Sequence, residues 1–170
     1  MSNRTATLAL AAATLLLMGT AASASTREVV HYDSTVQPGT IVVKTAERKL
    51  YLVLGDGEAI RYTVAVGRPG KQWQGKAQVS GKFVQPAWTP PAEVKADNPA
   101  LPEVIPDGAL NNPMGVAAMT LSGGEYAIHG TNKPGSIGKF ASYGCIRMLN
   151  QDISDLFERV NVGTQVVVTR

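Results

Sequence analysis

After Gly39 the apolar residues fall in short runs set off by glycine and proline, and this punctuation restricts the fold more than any other feature. Ile41-Val42-Val43 is one run. Leu50 to Leu54 is a second, stopped by Gly55-Asp56-Gly57, and Tyr62 to Val66 is a third, stopped by Gly67-Arg68-Pro69-Gly70. Gln78–Val84, Val116–Leu121, Tyr126–His129 and Gln165–Thr169 follow in the same style. Runs this short, rich in β-branched and aromatic residues and bounded by turn formers, read as strands. They predict a mostly β domain, an antiparallel sandwich or barrel-like sheet. One stretch is helical. Asn150 is a natural N-cap, Asp152 and Asp155 lie in the first turns, and Ile153, Leu156, Phe157 and Val160 share one face before Gly163. This predicts one short amphipathic helix near the C-terminus. No internal repeat is visible.

Two segments stand apart from this pattern. Gln85 to Pro113 holds seven of the ten prolines and little periodicity. Loops longer than about 12–15 residues are uncommon in a small domain and often serve as lids or binding walls, so residues 85–113 are expected to form one. Residues 25–38 show no steady periodicity and read as a short leader. Residues 1–24 carry Arg4, the apolar stretch Leu8 to Met18, and the ending Ala22-Ser23-Ala24. That order is the pattern of a secretory signal peptide cut after Ala24. The apolar stretch is 11 residues, against roughly 20 needed to span a bilayer. The expected product is exported, to the periplasm or cell wall, with no transmembrane segment in its mature form. One domain, residues 39–170, fits the remaining length.

Composition excludes several partners. Hydrophobic residues are 44% and charged residues 17%, enough for a core and too little charge for a solvated tail. The net charge is +3, with no basic run, so nucleic acid is not expected. A single Cys rules out an intrachain disulfide framework and a multi-Cys zinc site. His31, His129 and Cys145 are the available nitrogen and sulfur donors, and no metal-binding spacing links them, so neither a metal nor another cofactor is expected. Gly70 to Lys76 has phosphate-loop spacing, but Ala77 stands where a hydroxyl is needed and the chain turns β where a helix should follow. Ser136 to Lys139 spells the S-x-x-K of serine-type penicillin-binding enzymes, yet Gly135 and Gly138 argue against the helix and no S-D-N or K-T-G accompanies it.

What survives is a Cys and a His. An exported protein usually pairs its cysteines or lacks them, so Cys145 is an intermolecular link, a buried neutral residue or a working thiol. His129 ends a strand candidate, and the Gly-rich stretch that follows reaches Cys145 after 16 positions. If the loop folds back, an imidazolium beside the thiol would lower its pKa and hold a thiolate. The thiolate would attack a carbonyl while His129 moves the proton to the leaving amine. The N–H groups of Gly144 and Cys145 are candidate donors to the developing oxyanion, and Arg147 can bind a substrate carboxylate through two nitrogens.

The segments Ile128-His129-Gly130-Thr131-Asn132 and Ser142-Tyr143-Gly144-Cys145-Ile146-Arg147-Met148 resemble the signature of the L,D-transpeptidase catalytic domain, also called YkuD. The resemblance runs in order through Ile41–Leu54, Val64–Gly67, Trp88-Thr89-Pro90-Pro91, Asn112-Pro113-Met114-Gly115 and Gly163–Val168. It implies a mostly β YkuD-like fold with Cys145 as nucleophile, His129 as general acid/base, and the Gly130 carbonyl orienting the imidazole. It also implies oxyanion donors from the backbone of Tyr143 and Gly144, and substrate contacts at Ser142 and Arg147. The implied donor is a peptidoglycan tetrapeptide stem that loses D-Ala to form a thioester. The acceptor would be an amine on another stem, a Lys of an outer-membrane lipoprotein, or water. A non-catalytic wall-binding module is the remaining alternative. Two departures from the family stand out. Tyr143 occupies a position that is often His, and Trp73-Gln74-Gly75-Lys76 replaces a common Thr-Pro-x-Gly turn. The second is expected to touch only the turn.

Overall fold

The computed structural model describes residues 25–124 and 126–170; the expected signal peptide lies outside them. In chain order the strands are β1 (Glu28–His31), β2 (Ile41–Lys44), β3 (Lys49–Gly55), β4 (Glu58–Thr63), β5 (Val66–Gly67) and β6 (Gly75–Val84). Helix α1 (Ala92–Asp97) precedes β7 (Ala117–Leu121), β8 (Ala127–His129), β9 (Phe140–Ser142) and β10 (Ile146–Arg147), and helix α2 (Asn150–Arg159) precedes β11 (Gln165–Thr169). Nine strands form one sheet in the order β1-β4-β3-β2-β11-β6-β7-β8-β10, and β5 pairs with β9 separately.

The long strand β6 joins the two halves of that sheet. Gly75 to Gln78 ladders with β11, and Val79 to Val84 ladders with β7, with a register shift between Val79 and Gly81. Ile41, Val43, Leu52 and Ile60 from one half meet Met119, Leu121, Ile128 and Ile146 from the other in a single buried cluster. Ile153, Leu156 and Val160 of the α2 face and its C-cap complete it. Full burial of such a side chain stabilises by about 1.5–3 kcal/mol, so the helical stripe is held by packing more than by helix propensity.

Several local expectations change. The sheet is not purely antiparallel: β11–β2, β5–β9 and β8–β10 are parallel pairs. The expected strand 62–66 is cut. β4 ends at Thr63, and Ala65 leaves the sheet to bond Arg147 through both backbone groups, at 2.8 and 2.9 Å. Residues 25–38 are more than a leader. β1 pairs with β4, and Val30, Tyr32 and Val36 cover a second apolar cluster of Val42, Tyr51, Val53 and Ala59. Ser25 and Thr26 clasp the buried Asp152: Ser25 Oγ donates to its carboxylate at 2.6 Å and Thr26 Oγ1 at 2.7 Å.

Asn150 is not the N-cap of α2. Leu149 holds that position, without a side-chain cap, and the Asn150 side chain reaches elsewhere. At the other end, Lys82 Nζ donates to the carbonyls of Phe157 and Val160, both at 2.6 Å, placing a cation where the helix dipole favours one. The Pro-rich segment also has structure. It contains α1 and a bridge between Trp88 and Ile105, and Asn112 Nδ2 ties the carbonyls of Pro86 and Pro106 together. The phosphate-loop lookalike leads into β6 at Gly75, and Ser136 sits in a short 3-10 turn, Pro134–Ser136.

Candidate active site

A parallel strand pair needs a crossover of a dozen or more residues. Residues 130–145 supply it between β8 and β10, and this accounts for the spacing of His129 and Cys145. The register pairs Ile146 with Ile128 and Arg147 with His129. Successive strand residues alternate faces, so Cys145, Arg147 and His129 are brought to one side of the pair. Ile128 and Ile146 point the other way, into the core.

His129 is 4% exposed. Its Nδ1 lies 2.8 Å from the Gly130 carbonyl oxygen. A carbonyl can only accept, so Nδ1 donates to Gly130, and the Pro113 carbonyl is a second backbone acceptor for the ring. Gly130 has no room for a side chain: a Cβ there would stand 2.4 Å from Asn150 Oδ1. Asn150 Oδ1 accepts the Thr131 N–H at 2.9 Å, so this residue anchors the chain just beyond the imidazole. Burial, and then the charge of Arg147, push the imidazole pKa down to about 4. Burial also pushes the Cys145 thiol up, opposed by a backbone hydrogen bond with Ala127 and by Arg147. Both groups therefore rest neutral near pH 7. Burial thus favours the neutral form of each group, where the sequence led to an imidazolium–thiolate pair.

The loop before Cys145 is braced from several sides. Ser142 is 1% exposed; its Oγ donates to the Cys145 carbonyl at 2.6 Å and accepts the Gly144 N–H at 3.1 Å. Ser142 is thus committed to its own loop, and a direct substrate contact does not fit. The Gly144 N–H is occupied as well, by Ser142 Oγ, so the expected oxyanion donor at Gly144 is already committed within the loop. Gly144 sits at φ +124, and a Cβ on it would lie 2.3 Å from Tyr126 Cε1. Trp73 stacks on that Tyr126 ring, with centroids 4.9 Å apart and planes 4° apart, and its Nε1–H donates to the Gly144 carbonyl at 3.0 Å. The departure at Trp73 therefore reaches the residue beside the thiol, contrary to expectation. Trp73 and Tyr126 are the contributors that sequence reasoning missed; only the departure from the family turn signalled the first.

Pro91 to Val94 of the Pro-rich segment line a cavity that Cys145 also lines. Tyr143 Oη donates to Asp97 at the end of α1, Arg68 Nη2 reaches the same carboxylate at 2.8 Å, and the Arg68 guanidinium lies 4.0 Å from the centre of the Tyr143 ring. The hydrogen bonds from Tyr143 and Arg68 hold the Asp97 carboxyl below its usual range, and the bond to Asp97 raises the Tyr143 hydroxyl. A second tie joins Lys71 to Glu93. Two cavities flank this strap. One of about 540 Å³ is lined by Glu93, Val94, Tyr126, Tyr143 and Cys145. The other, of about 370 Å³, is lined by Trp88, Val94, Lys133, Tyr143 and Arg147. Burial pushes the Arg147 guanidinium down from its usual value, though it stays a cation. Among the described residues no carboxylate lies within ion-pair reach of it. Nor do the described residues gather three or more His, Cys, Asp or Glu side chains suited to a metal ion. No helix among them is long and apolar enough to cross a membrane.

The chain is similar to several known proteins. A 141-residue stretch is 43% identical to the "Probable L,D-transpeptidase YbiS" of Escherichia coli, covering 78% of this chain and 44% of that protein. The chain thus spans under half the length of this relative. The fold resembles an L,D-transpeptidase from Mycobacterium smegmatis with a TM-score of 0.60 at 19% identity, over 77% of this chain and 58% of that one. A solved chain from Brucella melitensis, described as a "Probable carnitine operon oxidoreductase", is 42% identical with a TM-score of 0.55, over 84% of this chain and 92% of that one. The pattern of the L,D-transpeptidase catalytic domain, YkuD, matches residues 38–168. The chain belongs to the YkuD family of L,D-transpeptidase catalytic domains.

Proposed function

We propose that this protein is an exported peptidoglycan L,D-transpeptidase acting through a Cys145 thioester. The observation that carries the reading is the β8–β10 register, which sets Cys145 and His129 on one face while the Gly130 carbonyl accepts from His129 Nδ1. The donor is a tetrapeptide stem. As Sγ bonds to the carbonyl carbon of the third residue, its proton passes to Nε2 and an electron pair moves to the carbonyl oxygen. Collapse breaks the C–N bond, and the imidazolium returns the proton to the departing D-Ala amine. Neutral resting partners suit this order, because the proton moves with the attack and no buried ion pair has to wait for substrate. In the second half an acceptor amine gives its proton to His129 and takes the acyl group, freeing the thiol.

The developing oxyanion is assigned to backbone N–H groups of the loop around the thiol, that of Tyr143 among them, and Arg147 to a carboxylate of the stem. The acceptor is an amine on a second stem, giving a 3→3 cross-link, or a lipoprotein Lys; with water the same site is an L,D-carboxypeptidase. The intact Cys145, His129, Gly130 and Arg147 favour an enzyme over a wall-binding module. The test uses a carbapenem. The folded protein should gain its mass on Cys145, and Cys145→Ala should gain none. A folded wild-type chain without adduct would refute the mechanism in favour of binding alone. Digesting sacculi and counting 3→3 dimers against tripeptides then separates transfer from hydrolysis.

A further inference from the structure

Two backbone turns supply the carbonyls that bond the His129 ring. One is Gly130–Thr131, just beyond β8, where the Gly130 oxygen accepts from Nδ1 at 2.8 Å. The other is Asn112–Gly115, whose Pro113 carbonyl is the second backbone acceptor. These turns lie directly on one another. A Cβ on Gly115, which sits at φ +66, would stand 2.4 Å from the Thr131 nitrogen and 2.7 Å from the Gly130 carbonyl carbon. The Asn150 amide closes the contact. Its Oδ1 accepts the Thr131 N–H at 2.9 Å and fills the space that a Cβ on either glycine would need, 2.4 Å from one on Gly130 and 2.3 Å from one on Gly115. Asn150 projects from the first turn of α2, whose Ile153 and Leu156 are buried, so a rigid element carries the amide. The helix itself has no side-chain cap; the side chain best suited to one is spent on the turns beside the imidazole.

We propose that Asn150 is a positioning residue for His129: it locks the Gly130–Thr131 turn against the Asn112–Gly115 turn, and so holds the imidazole in one tautomer and one orientation towards the thiol. Its effect on rate rests on the acyl-transfer reading above; its effect on the ring does not. Without Oδ1 the Thr131 N–H loses its side-chain partner and a gap opens between the turns. The Gly130 carbonyl then has room to turn away from Nδ1. A displacement of ~1 Å at the reacting groups costs about 10²-fold, and a general base contributes about 10²–10⁴-fold in all. The loss through Asn150 is therefore about 10- to 100-fold in the acylation step. Nothing in this role changes how tightly the substrate's distant groups bind.

The test is Asn150→Ala, with Asn150→Asp as the conservative variant that keeps an acceptor oxygen in place. The chain has two histidines, so after labelling with 15N-histidine the His129 ring signals are assigned by their absence in His129→Gln. In the wild type at neutral pH they should show the Nδ1–H form alone. In Asn150→Ala the Nδ1 and Nε2 shifts should move towards each other as the second tautomer enters. With a carbapenem followed by intact mass, the maximal acylation rate of that variant should fall about 10- to 100-fold at unchanged half-saturation. Asn150→Asp should keep the wild-type tautomer and recover most of the rate. A folded Asn150→Ala chain with wild-type ring signals overturns the proposal. So does one that acylates at the wild-type rate, or one whose loss of rate tracks only a lower melting temperature, because that is a packing effect. An aspartate variant no better than the alanine variant overturns it as well. Where Asn150→Ala does not fold, Asn150→Ser, whose hydroxyl stops one bond short of the Oδ1 position, carries the same comparisons. A wild-type chain that forms no adduct overturns the acyl-transfer reading itself, and the ring signals then still decide the role of Asn150.

Discussion

His129 should make the stability of this protein fall between about pH 6.5 and pH 4, before its carboxylates contribute. Its pKa is about 4 in the folded chain, against 6.5 when free. As pH drops, the unfolded chain binds the proton first. The contribution is therefore complete above the free value, shrinks as pH falls through the window, and stops shrinking below the folded value. Two and a half pH units correspond to about 3.4 kcal/mol in full, and about 2.5 kcal/mol of that is gone at about pH 4.5. The ring is 4% exposed, so little of this is screened. Urea denaturation of wild type and His129→Gln from about pH 7.5 to 4.5 reads the effect. The variant removes the titrating group, so the slope carries the information whatever the variant's absolute stability. Carboxylates held low by partners, such as Asp155 beside Arg159 and Tyr62, act nearer and below their ordinary values and cancel in the difference. The other histidine, His31, lies exposed beside Asp33 and is common to both chains. Parallel stability–pH curves for the two proteins would refute the claim that burial holds this imidazole neutral.

Asp152→Ala should cost about 1.5–3 kcal/mol, the range for hydrogen bonds to a charged group, because the clasp on Ser25 and Thr26 is lost. It should also free the N-terminal segment for cleavage, and limited proteolysis combined with urea melts checks both. Gly144→Ala should destabilise by about 1–3 kcal/mol through its positive φ and more through the clash with Tyr126. Thermal melts and carbapenem acylation should fall together, and a fully active, fully stable variant would contradict the packing described here.

The longer strands and α2 were legible because each carries its own pattern: alternating or fully apolar runs between turn residues, and one stripe with helical spacing; the short β9, β10 and α1 carry none and were not foreseen. β1 was not. It is four residues of an edge strand, mostly exposed, and its meaning lies in the apolar back face it helps cover. The cut in the 62–66 run escaped for a similar reason, since the pull comes from Arg147, some eighty positions away. Asn150 looked like a cap because the residue type suits one, yet its carbonyl oxygen is claimed by the Thr131 N–H.

At the site, residue types and the family pattern were enough to name Cys145, His129, Gly130 and Arg147 as candidates, because their order along the chain is itself the signal. Their protonation and the company they keep were settled by folding. Burial is a property of the packed interior, and it favours the neutral imidazole and thiol over the ion pair expected from their nearness alone. The stack of Trp73 on Tyr126, the inward turn of Ser142 and the tie from Tyr143 to Asp97 join residues far apart in sequence. No local pattern encodes such contacts, because they exist only once the sheet has brought its loops together.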